Sequence, residues 1–161
     1  MWRIISGQNE QAGKWARDLF GRQDFFADGS FTSLILERDL EIQSVVLYNQ
    51  YVPGASIDLS IASVPGKRWM TPSFLRATFR YPFLELGVRR VGALVASDNA
   101  ESLRLTRHAG FVQEGVAREA WAPGVDIVCF GMLKSECRFL DGPQPEIWSA
   151  EIGKAKPAAA A

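Results

Sequence analysis

Tyr81-Pro82-Phe83-Leu84-Glu85-Leu86-Gly87-Val88-Arg89-Arg90-Val91, then Asp98-Asn99-Ala100-Glu101-Ser102-Leu103-Arg104-Leu105, then Gly110-Phe111-Val112-Gln113-Glu114-Gly115-Val116, is the stretch that decides the fold. Phe83 and Leu86 close an apolar stripe at helical spacing that begins at Phe74, and Gly87 stops the helix. Pro82 removes an internal hydrogen bond and predicts a kink in the last turn. Arg89 to Ala96 reads as a strand. Ser97-Asp98-Asn99 caps a second helix from Ala100 to about His108, Gly110 ends it, and Phe111 enters another strand.

Upstream of this stretch, Thr71 is a good N-cap and Pro72 suits the first helical position, so the first helix runs from Pro72 to Leu86. Pro65-Gly66-Lys67-Arg68 is a loop. Ser56 to Ser63 alternates Ile57, Leu59 and Ile61 with Ser56, Asp58 and Ser60, a half-buried strand with one polar face. Phe31 to Leu36 and Ile42 to Val52 form a hairpin across the polar turn Glu37-Arg38-Asp39. At the N-terminus, Trp2 to Ile5 is a short strand. A helix from Glu10 to Phe20 follows, apolar at Ala12, Trp15, Ala16 and Leu19, and then a loop in which Phe25 and Phe26 pack inward.

Downstream, Asp126 to Lys134 is the last clear strand. After Leu140 the composition shifts to Gly142-Pro143-Gln144-Pro145 and an Ala-rich end. This predicts one domain over 1–140 and a tail over 141–161 that is flexible or docks on a protein partner. Ile147, Trp148 and Ile152 would share one side of a short helix in that tail. The element order gives a mixed α/β sheet with helices on both faces.

The chain of 161 residues suits one domain, and its 47% hydrophobic content supports a core without staples. Eighteen basic residues cancel eighteen acidic ones, so no global field draws the chain to nucleic acid or to an anionic membrane. Cys129 and Cys137 build no disulfide framework, and with His108 as the single histidine no metal-ligand spacing exists. His108 sits where the helix dipole favours a cation and reads as structural. No run approaches the roughly 18 apolar residues of a membrane span, and the N-terminal apolar run is too short for a signal peptide. The expectation is a soluble cytoplasmic protein.

The helix–Leu86-Gly87–strand–Asp98-Asn99–helix–Gly110-Phe111–Glu114-Gly115 order resembles the second half of the GNAT acyltransferase superfamily core. It is most similar to the branch that acetylates ribosomal-protein N-termini, and the match covers about Ser56 to Lys134. Arg68-Trp69-Met70-Thr71-Pro72 with Phe74-Leu75 also resembles small GNAT-like proteins of phage and prophage genomes, which would place the chain in a virion if it is phage-encoded. The resemblance implies a mostly antiparallel sheet in which Ser56–Ser63 and Arg90–Ala96 are parallel neighbours that splay apart. Acetyl-CoA would enter between them, with its diphosphate on the start of the Pro72 helix. Cofactor contacts then fall to Gly66, Lys67, Arg68, Met70, Thr71 and Asn99.

Two departures from the family pattern stand out. The family's diphosphate loop carries glycines where this chain has Trp69 and Thr71, so an indole would crowd the phosphates unless it swings outward. The tyrosine that protonates the departing thiolate in many members is replaced by Thr106. The ribosomal-protein branch resembles this chain in carrying a serine three residues after the capping Asn, which makes Ser102 the candidate thiolate donor. Asp58, on the polar face of the strand bordering the substrate cleft, and Glu114, just after Gly110-Phe111, are the candidate bases for the acceptor amine.

Two functions fit these residues. One is an acetyl-CoA-dependent N-acetyltransferase acting on a protein N-terminus, a lysine or a small amine. The other is a GNAT-fold protein without catalysis that serves as a binding or structural component, in a phage particle or against a host protein, with oligomeric assembly through the tail.

Overall fold

The computed structural model describes residues 1–149 in full and the backbone of 154–157. The strands are β1 (Trp2–Ser6), β2 (Thr32–Arg38), β3 (Glu41–Val52), β4 (Ser56–Ser63), β5 (Arg90–Ala96), β6 (Val112–Ala122), β7 (Val125–Leu133), β8 (Glu146–Ser149) and β9 (Lys154–Pro157). They form one 9-stranded sheet in the order β6-β7-β5-β4-β3-β2-β1-β8-β9. Helices α1 (Asn9–Phe20), α2 (Pro72–Arg80) and α3 (Ala100–His108) flank it. Only β4/β5 and β1/β8 are parallel pairs. The expected adjacency of Ser56–Ser63 and Arg90–Ala96 is therefore present, with α2 in their crossover. This is the GNAT fold.

Two layers cover the sheet. Val91, Ala93 and Val95 of β5 alternate toward Phe74, Phe79 and Phe83 of the α2 segment, and Leu103, Leu105, Ala109 and Phe111 extend the same cluster. Ala12 and Ala16 of α1 pack on Ile35, Val45, Leu47 and Ala62 on the other face. Small residues at these two positions let α1 lie close to the sheet. Because strand side chains alternate, Ala62 assigns Asp58 and Ser60 of β4 to the α1 face as well.

α2 starts as its sequence predicts. The Thr71 hydroxyl accepts from the Phe74 N–H at 3.2 Å, and Pro72 takes the first turn. The disturbance expected at Pro82 takes the form of a π-helical turn over Tyr81–Leu86, where the missing N–H interrupts the α-helical ladder. Gly87 ends it at φ +74°, which a side-chain-bearing residue adopts only with strain.

The C-terminal boundary differs from the sequence expectation. Residues 146–149 form a strand rather than a helix, and Ile5 and Ser6 of β1 pair with Trp148 and Ser149. Ile147 is buried in the larger core cluster. The edge of β1 offers unpaired backbone groups, and β8 satisfies them. This segment thus belongs to the domain rather than to a tail outside 1–140. Ile152 lies outside the described residues.

Candidate functional site

β4 and β5 are hydrogen-bonded from Ser56↔Arg90 to Leu59↔Ala93 and no further. Beyond that point Ser60–Ser63 and Leu94–Ala96 diverge, and a cavity of about 450 Å³ occupies the gap. Its wall includes Ser60 and Leu94, which face α1, and Leu59, Ala93 and Val95, which face α2. The cavity therefore passes through the sheet. The facing backbone edges of the diverging strands have no ladder partner, so they can pair with an extended ligand carrying amide groups.

On the α2/α3 side the cavity meets Met70, Asn99, Ser102 and Thr106. The Asn99 side chain caps α3 by accepting from the Ser102 N–H at 3.1 Å. That bond sets the first turn, and helical spacing then puts Ser102 and Thr106 on one face toward the cavity. The other residues proposed for cofactor contact are placed differently. Gly66, Lys67 and Arg68 are exposed just outside the cavity, and Thr71 is turned to its capping role.

Trp69 corrects the expectation that its indole crowds the loop or swings outward. It swings inward, is 9% exposed, and meets the Phe74 ring edge-on at a centroid distance of 6.5 Å. Burying so large an apolar ring in the core outweighs leaving it on a solvated loop. The indole thus forms part of the cavity wall, while Lys67 and Arg68 before it are exposed. Fewer backbone donors remain there than a glycine loop supplies. Pro72 has no N–H, Thr71 donates to the Trp69 carbonyl at 2.7 Å, and Lys67 donates to that of Val64 at 3.2 Å.

The two candidate bases come together through a residue that sequence reasoning did not single out. Arg90 donates to both oxygens of Glu114, at 3.0 and 2.9 Å. Glu114 is the extra residue of a bulge between Gln113 and Gly115, which aims it back across the sheet. Asp58 sits on the far side of Arg90, half-buried, and accepts no hydrogen bond among the described residues. Burial pushes its pKa up from the ordinary value, and the Arg90 charge offsets part of that rise. Gly92 and Gly131 form the floor beneath this row: a Cβ on Gly92 would strike the Asp58 carboxylate, and one on Gly131 would lie 2.6 Å from the Glu114 Cδ. The i, i+2 spacing of Arg90 and Gly92 was the available sequence signal. The pairing of β5 with β7 was not readable.

On the α1 side Leu19, Phe20, Phe25 and Trp121 complete the cavity wall. Arg22 ties the loop after α1 to the β6–β7 hairpin: it donates to the Trp121 carbonyl at 3.2 Å and stacks over the indole at 4.2 Å.

An interrupted parallel β4/β5 pair, with a cavity through the sheet at the interruption, is the central feature of this GNAT fold. Solved structures with a similar fold include spermidine N-acetyltransferases of Vibrio cholerae. A spermidine/spermine N-acetyltransferase SpeG aligns at a TM-score of 0.65 and 14% identity, over 84% of this chain and 96% of that one. A point variant of SpeG aligns at 0.67 and 14%, over 87% and 96%. A dodecameric spermidine N-acetyltransferase aligns at 0.66 and 14%, over 83% and 94%. No family model matches the chain, and neither does any curated protein sequence. Among the described residues no group of three or more His, Cys, Asp or Glu could hold a metal ion, and no helix is long and apolar enough to cross a membrane.

Proposed function

We propose that the chain is an acetyl-CoA-dependent N-acetyltransferase acting on a primary amine. The observation that carries this reading is the cavity through the β4/β5 gap, which reaches Ser102 on one face of the sheet and, on the other, Ser60, two residues along β4 from Asp58. The residues fit acetyl-CoA at the pantetheine end, through the unpaired edges of Ser60–Ser63 and Leu94–Ala96. At the diphosphate end Lys67 and Arg68 would supply charge, with Met70 and Asn99 beside the arm. When bound, acetyl-CoA supplies an acetyl group on a thioester.

Asp58 is the preferred base. Its carboxylate is free of hydrogen bonds and half-buried, and its raised pKa brings it closer to that of a useful proton acceptor. Glu114 is tied to Arg90 and exposed, so it serves better as the anchor that holds Arg90. The nitrogen gives a proton to Asp58 as its bond to the acyl carbon forms. The Ser102 hydroxyl, which no described group engages, donates a hydrogen bond to the sulfur as the C–S bond breaks. Ser102 also supports the narrower reading, an enzyme of the ribosomal-protein N-terminus type.

A second reading, a GNAT-fold binding protein without catalysis, is favoured by the few donors at the start of α2. Calorimetric titration with acetyl-CoA and an assay of thiol release with amine acceptors separate the two. Micromolar binding with release supports the enzyme; no binding at millimolar ligand leaves the binding protein.

A further inference from the structure

We infer that the acceptor is a primary amine joined by a short aliphatic link to an aromatic ring, an inference that rests on the acetyltransferase reading. The α1-side end of the cavity is walled by Leu19, Phe20, Phe25, Leu94 and Trp121. Phe20 and Phe25 meet edge-to-face at 5.2 Å, and Phe25 and Trp121 at 6.4 Å. Leu94 is 54% exposed although it sits on a strand in the interior of a 9-stranded sheet. A large apolar residue at that depth, uncovered by its own chain and facing an aromatic wall, marks a place that a ligand covers.

The α1-side wall gives a polycation no carboxylate to bind. The carboxylates in the cavity wall are Asp98 and Glu101, which lie at the start of α3 on the opposite face of the sheet. On the α1 face Glu114 is paired with Arg90, whereas Asp58, two residues along β4 from the cavity-lining Ser60, accepts no hydrogen bond among the described residues and can take one ammonium group. Further out, the Arg22 guanidinium stacked on Trp121 already pairs with Asp24 at 2.9 Å, so the aromatic wall offers a second ammonium no unpaired carboxylate. One amine toward Asp58 and one apolar ring against Phe25 and Trp121 match the unpaired carboxylate and the apolar wall of this side.

Phenethylamine and a short peptide beginning with Phe carry the same nitrogen-to-ring spacing. With acetyl-CoA and the full chain, thiol release should show a kcat/KM for phenethylamine roughly tenfold or more above those for ethylamine and spermidine, since burying a ring contributes at least that much. Trp121→Ala should reduce that preference and Trp121→Phe should restore most of it, with thermal melts confirming that both fold. Turnover in which spermidine equals or exceeds phenethylamine overturns this inference and leaves the acetyltransferase reading standing. If no amine is acetylated, the acetyltransferase reading fails, and calorimetry with phenethylamine alone decides the site. Binding weakened by Trp121→Ala supports it; no binding overturns it. The peptide against phenethylamine then tells a protein N-terminus from a small arylalkylamine.

Discussion

Asp58 on β4 lies opposite Gly92 on β5 in the parallel ladder, and its carboxylate fills the space where a Gly92 side chain would begin. The carboxylate of Glu114, the bulge residue of β6, likewise fills the space above Gly131, with Arg90 across both glycines. Two strands without side chains at these positions create a trough in the sheet. An acidic group can lie flat in it beside the opening between β4 and β5.

Gly92→Ala tests that trough. The added methyl meets the far end of a flexible side chain, so the fold accommodates it, and alanine suits a strand better than glycine does. The melting temperature should change little while acetyl transfer falls, because the carboxylate is pushed aside. Unchanged turnover in the alanine variant would show that the position of Asp58 does not matter to the reaction.

Asp58→Asn should lower the rate by about 10²–10⁴-fold, the usual contribution of a positioned base. It should also stabilise the protein at neutral pH. Burial raises the folded-state pKa above the ordinary 3.8, so the folded protein keeps the proton to higher pH than the unfolded chain does. Stability from this group is greatest below the unfolded value and falls as pH rises through the interval up to the folded one. The amide removes that loss. Melts at pH 7 and at pH 3 should show the variant's advantage at the first and not at the second.

Trp69→Ala should destabilise the protein by about 3–5 kcal/mol, the cost of removing a large ring from a packed core. Trp69→Gly should do at least as much harm, since it also loosens the backbone before α2. Denaturant unfolding measures this. A variant that keeps its midpoint and binds acetyl-CoA more tightly would mean that the indole lies over the phosphate loop in solution.

Ile147→Ala should cost about 2–5 kcal/mol, because the side chain is buried where β8 closes the edge of β1. Deleting 142–161 should lower the melting temperature and leave the number of copies per particle in light scattering equal to that of the full chain. Loss of an oligomer with an unchanged melting temperature would instead support partner docking by this segment.

Ser102→Ala should slow transfer most for weakly activated thioesters and leave acetyl-CoA affinity nearly unchanged, because the hydroxyl acts on the departing sulfur. Steady-state rates with thioesters of different leaving-group acidity make the comparison. Equal losses across the series would make Ser102 a helix residue with no part in bond breaking.

The sequence by itself determined the local elements on both sides of the cleft. Thr71-Pro72, Asn99 and Gly87 carry their own capping chemistry, and the alternation in Ser56–Ser63 declares a strand with a polar face, because these signals act within a few residues along the chain. The capping role of Asn99 at the start of α3 was readable for the same reason. What only the tertiary structure decided depends on residues far apart in the chain. The inward turn of Trp69 follows from a core built by α2 and β5. The placement of Asp58 and Glu114 on either side of Arg90, above two glycines, follows from the pairing of β5 with β4 and β7. Trp121 reaches Phe25 because a hairpin nearly 100 residues downstream folds back over α1. Ile147 is core because the edge of β1 stands open. No local pattern encodes which strand edge is left unpaired, and that is set when the whole sheet assembles.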